Sequence, residues 1–312
     1  MKISNKVRKV ALALLILSGP LYSIGQQDPM YTQYIFNLQT VNPAYAGSWQ
    51  TMGFTALGRY QWVGMAGHPT TQTFSFQTPF KSENVGIGLN IVHDQLGSER
   101  RIMLNLDYSY RIAIDDNVSL RFGLKGGFTN YNNDLSSLHP ADGLPDPVLL
   151  GVVENKFMPN VGFGMFLSSS KYYLSLSLPR LIQNSFQENS GNFSKMSEAR
   201  QLYFAGGFVF SISDNVKFKP TFMTKTVVGS PFQYDISANF LLVEKFWIGG
   251  MYRSGDSFGA IVQWVVNNKF RVGYAADFTF TDLKNYQHGV HEVMVSYEID
   301  FTKRRYVSPR YF

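Results

Sequence analysis

From about residue 51 to residue 301, apolar and polar side chains alternate in stretches of roughly 10 residues separated by turns. The last stretch is the cleanest. Val293, Val295, Tyr297, Ile299 and Phe301 share one face, and Glu292, Ser296, Glu298 and Asp300 share the other. Successive Cβ atoms of a strand point to opposite sides, so this is a ribbon with one greasy face and one wet face. The pattern predicts strands over 51–61, 70–79, 85–94, 100–113, 117–130, 156–168 and 171–178. It continues with strands over 200–212, 216–226, 233–243, 246–254, 257–266, 269–278 and 290–301. No strongly amphipathic helix lies between them to cover the apolar rows, which leaves lipid as their solvent. A sheet in lipid must close to satisfy its backbone. The expected fold is all-β, a transmembrane antiparallel up-and-down β-barrel over residues 49–301 of about 14 strands, within a range of about 12 to 16.

The wet faces carry both signs of charge. Ile102, Leu104, Leu106, Tyr108, Tyr110 and Ile112 face outward in the fourth strand, leaving Arg101, Asn105, Asp107, Ser109 and Arg111 inward. The ninth strand pairs outward Val216, Phe218 and Phe222 with inward Lys217, Lys219, Thr221 and Lys225. In the thirteenth, Phe270, Val272, Tyr274 and Phe278 face outward, and Arg271 and Asp277 inward. Mixed signs predict an interior of salt bridges and water rather than a single-sign selectivity field. Trp247 falls on the inner face, a misfit that a β-bulge would explain.

Connector lengths give an orientation. Tight links follow the fourth, sixth, eighth, tenth and twelfth strands, at Ile114-Asp115-Asp116-Asn117, Ser168-Ser169-Ser170-Lys171, Ser213-Asp214-Asn215, Val243-Glu244-Lys245 and Val266-Asn267-Asn268. Long links fall at odd junctions, near 131–155, 179–199 and 279–289, although the odd junctions at 226–232 and 254–257 are short. Outer-membrane barrels have short periplasmic turns and long outer loops, so both termini are expected in the periplasm.

The first residues set the compartment. Lys2, Lys6, Arg8 and Lys9 precede a short apolar run over 10–17, and Ser23 and Gly25 suit a cut before Gln26. Residues 1–25 therefore read as a secretory signal peptide, and the expected location is a Gram-negative outer membrane. Four of the 28 basic residues and none of the 22 acidic ones lie in this leader, so the net charge of +6 falls to about +2 on its removal. The basic balance is thus no argument for nucleic acid. The chain has no cysteine, which removes disulfides, thiol nucleophiles and thiolate metal sites together. With Phe 26, Tyr 18 and Gly 27, and only 16% charged residues, the composition suits a barrel, though a soluble sandwich could share it.

Residues 26–48 do not alternate. Asp28-Pro29 reads as an N-cap followed by a first-turn proline. Tyr31, Tyr34, Ile35 and Leu38 then keep helical spacing until Asn42-Pro43 ends it. A short helix on the periplasmic side is expected, either as a plug in the lumen or as a collar beneath the rim. Residues 302–312 form a basic tail that should hang in the periplasm, with Phe301 or Phe312 as a candidate insertion signal.

Two blocks in the N-terminal segment carry a resemblance. They are Gln27-Asp28-Pro29-Met30-Tyr31-Thr32-Gln33-Tyr34-Ile35-Phe36-Asn37 and Val41-Asn42-Pro43-Ala44-Tyr45-Ala46-Gly47. Together they resemble the opening of the PorP/SprF family of type IX secretion outer-membrane proteins, and Pro309-Arg310-Tyr311-Phe312 resembles its tail. The likeness spans the chain, but the specific motif is confined to 26–47. It implies an accessory barrel of type IX export in gliding and protein-secreting bacteria. Such a barrel would engage the C-terminal domain of secreted cargo, including gliding adhesins, and associate with periplasmic or lipoprotein components of the machine. No catalytic residue or cofactor carries over.

On that basis Phe186 and Phe193, in the long loop 179–199, are candidate anchors for exported cargo, or else they fold the loop over the barrel mouth. Tyr31, Tyr34 and Phe36, with Arg304, Arg305 and Arg310 of the tail, are candidate contacts for a periplasmic component. Other chemistry is weaker. His93, Asp94 and Ser98 cluster near the rim, but neighbouring strand residues face opposite ways, so no enzyme is expected. His288 and His291, with His68 and His93, read as surface imidazoles rather than a metal site. The glycine pairs at 86–88, 126–127, 162–164, 206–207 and 249–250 open no helix and read as relief of crowding in strands. The alternative function is a stand-alone FadL-like or porin-like diffusion channel for small molecules.

Overall fold

The alternating rows fold as strands that close on themselves. The computed structural model describes residues 29–80, 82–134, 152–184, 198–300 and 311. Its strands are β1 (Met52–Tyr60), β2 (Thr70–Phe80), β3 (Ser82–Leu96), β4 (Glu99–Asp115), β5 (Val118–Asp134), β6 (Val152–Ser169) and β7 (Tyr172–Leu178). Two segments, Gln201–Phe208 and Phe210–Ser213, form a single strand β8 interrupted at Val209. There follow β9 (Val216–Val227), β10 (Gln233–Leu242), β11 (Phe246–Arg253), β12 (Ser257–Val265), β13 (Phe270–Thr279) and β14 (Val290–Ile299). Each pairs antiparallel with its sequence neighbours, and β1 meets β14 from Met52 opposite Ile299 to Tyr60 opposite His291. The result is a closed 14-strand barrel. The leader, Phe301, the rest of the tail and the centres of the loops after β5 and β7 lie outside the described residues.

The outer surface confirms what the apolar rows need. Leu106, Leu124 and Phe157 are 57%, 59% and 60% exposed, within continuous rows of the same character. Soluble monomers rarely show apolar patches of that extent. Aromatic pairs girdle both ends of the band, as at the two interfaces of an outer-membrane barrel. At the end carrying the tight turns, Phe218 lies 4.9 Å from Phe240, and Phe246 lies 6.3 Å from Trp264. At the other end, Tyr252 lies 6.1 Å from Phe280, and Phe258 lies 5.8 Å from Phe278. Among the described residues no helix is long and apolar enough to cross a membrane, and the strands do the crossing.

The barrel is lopsided. β3 to β6 run for 15, 17, 17 and 18 residues, longer than their alternation suggested, whereas β11 has 8. The outward row of the long strands turns polar at His93, Gln95, Arg100, Asn130 and Asn132, so the extra length stands beyond the apolar band at the loop end. A further tight hairpin at that end, through Gly97 and Ser98, joins β3 to β4. Gly97 takes a φ of +58° there, where a side chain would be strained.

Candidate functional site

The lumen is occupied by the segment that does not alternate. Its helical spacing folds as three short 3₁₀ turns, Thr32–Phe36, Leu38–Thr40 and Pro43–Tyr45, and not as one helix. Asn37 breaks the run at φ −146°. The wall supplies partners for backbone groups that a longer helix would have satisfied itself. The second turn stops before Asn42-Pro43, as expected, and that pair starts the third. The Asn42 Oδ1 accepts from the Ala44 N–H at 2.9 Å, and its Nδ2 donates to the Met165 carbonyl at 2.9 Å and to Ser175 Oγ at 2.7 Å.

Between plug and collar the contacts decide. Tyr34, Ile35, Leu38, Ala44 and Tyr45 are almost fully buried. Hydrogen bonds leave the segment in every direction. Tyr31 meets Thr73 of β2, and Asn37 donates to Ser75. Gln39 donates to the carbonyls of Phe76 and Leu89 and to Asp107 of β4. Ser109 donates to the Ala46 carbonyl, and Ser177 of β7 to the Val41 carbonyl. Tyr34 meets Thr221 of β9. Burial holds the Tyr34 phenol above its ordinary range despite that hydroxyl neighbour, so it keeps its proton. This segment is a plug.

The plug is also held by charge-assisted hydrogen bonds to wall carboxylates. The Glu292 carboxylate accepts from the Thr32 N–H at 2.8 Å and the Gln33 N–H at 3.0 Å, while Arg59 Nη1 donates to it at 2.5 Å. The Thr32 hydroxyl donates to Asp277 at 2.6 Å, and Arg59 lies 3.4 Å from the same carboxylate. All five residues are buried. Hydrogen bonds to a charged acceptor are the strong ones, and removing one partner of such a cluster strands the others.

The lumen-facing glycines make room for the plug. A Cβ at Gly86 would collide with the Ala46 carbonyl, at Gly123 with Ala44, at Gly164 with Asn42, and at Gly273 with the Gln33 side chain. Trp247 needs no bulge. It is buried inside, β11 keeps its register on both sides, and the ring stands 6.0 Å from Phe36 of the plug. An inward tryptophan is compatible with this wall because the plug brings apolar surface to it. Elsewhere the mixed-sign expectation holds. Arg253 pairs with Asp235 at 2.9 Å, Arg271 with Glu298 at 2.5 Å, and Lys125 with Asp107 at 3.6 Å.

The plug climbs the lumen away from β1. Trp49 and Phe36 lie near the turn end, whereas Pro29 and Tyr31 share a cavity with Val92, Met103, Lys125 and Arg180 in the loop half. That cavity is small, about 50 Å³, and partly open to solvent.

The candidate partner residues are thereby separated. Tyr31 and Tyr34 are buried against the wall and offer no surface while the plug is in place, and Phe36 is partly buried beside Trp247. Phe186, Phe193, Arg304, Arg305 and Arg310 lie outside the described residues. Tyr311 is not hanging free. It contacts Lys217 and Lys219 inside the mouth at the turn end. The rim cluster does not assemble: Asp94 accepts from Thr71 at 2.7 Å, and Ser98 donates to Asn133 at 2.9 Å. His291 meets the Tyr274 hydroxyl at 2.7 Å, and the described residues contain no group of three or more potential metal ligands. The ionic attachment at Glu292 is what the sequence reading missed, although Glu292 and Asp277 were both legible as inward residues.

Solved barrels share the fold. The CymD monoaromatic hydrocarbon channel aligns over 89% of this chain and 95% of its own, with a TM-score of 0.52 and 13% identity. A TodX monoaromatic hydrocarbon channel mutant, deltaS2S3, aligns over 88% and 95%, with a TM-score of 0.50 and 10% identity. At such identities the likeness is one of fold alone. No curated protein sequence matches. A family model described as "Type IX secretion system membrane protein PorP/SprF" matches residues 23–297.

Proposed function

The chain belongs to the PorP/SprF family of type IX secretion system membrane proteins, and from that premise we propose that it is an outer-membrane accessory which docks the C-terminal domain of an exported cargo protein and links it to periplasmic components of the machine. The observation that carries this reading is the plug. A lumen occupied by a folded segment, with hydrogen bonds reaching β4, β7, β9 and β14, suits a docking platform better than a water-filled pore. Cargo would meet the end bearing the loops after β5 and β7, where the tall wall of β3 to β6 already rises beyond the apolar band. That end would face outward, with the tight turns in the periplasm. Phe186 and Phe193 are the proposed anchors in the loop after β7, and Arg304, Arg305 and Arg310 the proposed periplasmic contacts.

Pull-down of tagged protein from native membranes, read by mass spectrometry, tests the proposal. Recovery of a secreted protein's C-terminal domain and of machine components is expected, with the cargo lost when 185–197 is deleted. Retention of cargo by that deletion would refute the loop assignment.

The second reading is a stand-alone diffusion channel. It draws on the fold shared with the monoaromatic hydrocarbon channels CymD and TodX, and on the partly open cavity above the plug. Uptake of small apolar solutes by proteoliposomes, without any secretion partner, would favour it.

A further inference from the structure

The mouth at the turn end holds a contact that the plug alone does not explain. Lys217 and Lys219 project inward from the start of β9, and both engage Tyr311. Lys217 donates to the Tyr311 hydroxyl, and its ammonium lies 4.5 Å from the ring centroid. Lys219 donates to the Tyr311 carbonyl and also, at 3.2 Å, to the carbonyl of Ile35 in the plug. The same ammonium stands 5.5 Å from the ring centroids of Phe36 and of Trp247. Tyr311 thus completes one small cavity with Ile35, Phe36, Trp49, Trp247 and Arg271.

We propose that this mouth is a receptor for the chain's own Tyr311, and that the seated tyrosine bolts the plug through Lys219. The inference rests on the described contacts and not on the secretion reading. Tyrosine fits the site on physical grounds. Its hydroxyl meets the Lys217 ammonium at the rim, while the residue lines an aromatic cavity with Phe36 and Trp247. The span is feasible. β14 and β9 are five strands apart around the barrel. Between residues 300 and 311 a chain can extend on the order of 36 Å. Lys219 makes the coupling direct, because one ammonium holds both the plug backbone and the tail backbone.

Photocrosslinking tests the contact in the full-length, membrane-inserted protein, with benzoylphenylalanine in place of Tyr311. Adducts are expected within 216–219, 244–247 or 35–49. Adducts confined to other segments or to lipid, or none at all from a normally inserted barrel, would overturn the proposal. Hydrogen exchange tests the bolt. Tyr311→Ala is expected to speed amide exchange across 35–49 at least tenfold while leaving β3 to β6 unchanged. Unaltered exchange over 35–49 would show that the tail does not hold the plug.

Discussion

The outside and the inside of this barrel are built from the same strands yet obey different rules. Outward positions are interchangeable in kind. Ile102, Leu124, Ile236 and Val262 need only be apolar, because lipid adapts to whatever shape they present. Inward positions are individual. Glu292 meets two particular amides and Arg59, Gly164 leaves space for Asn42, and Trp247 faces Phe36. A fluid solvent asks for hydrophobicity, whereas a folded plug asks for complementarity. Tolerance to substitution should therefore differ sharply between neighbours on one strand.

The largest effect should come from inside. Glu292→Ala leaves two plug amides without their acceptor and Arg59 with Asp277 at 3.4 Å, an expected loss of about 3–5 kcal/mol. Exchange protection over 30–40 should collapse with it, as measured by mass spectrometry. Leu124→Arg attacks the outer rule and should lower stability by about 2–4 kcal/mol in urea-dependent folding into vesicles, with plug protection intact. Gly123→Val overpacks the plug against β5 and should destabilise by about 1–3 kcal/mol, loosening residues 42–46 first. The smallest effect belongs to Ile236→Leu, an outward swap expected to change stability by less than about 0.5 kcal/mol. If the inward and outward variants proved equally tolerant, the contrast between the two faces would fail.

The two faces were also unequally legible. Alternation has a period of two, so it gave strand edges to within a few residues from β7 to β14 and sorted Asp107, Lys219 and Glu298 inward without a structure. It underestimated β3 to β6; in β5 the missed end is Asn132, Asn133 and Asp134, polar on both faces, where alternation gives no signal. It could not pair Thr32 with Glu292. Those residues are 260 positions apart, and no local pattern encodes a contact of that separation. The plug was visible only as a break in the alternation. Helical spacing of Tyr31, Tyr34, Ile35 and Leu38 was real, but the wall satisfies that backbone, and three short turns replace the helix. Trp247 looked misplaced for the same reason: its partner, Phe36, comes from outside the barrel sequence.

Single-channel conductance of the purified protein in planar bilayers tests the closed lumen most directly. The wild type is expected to give no sustained current, and Glu292→Ala intermittent openings as the plug loosens. Large, stable currents from the wild type would contradict a plug that fills the barrel.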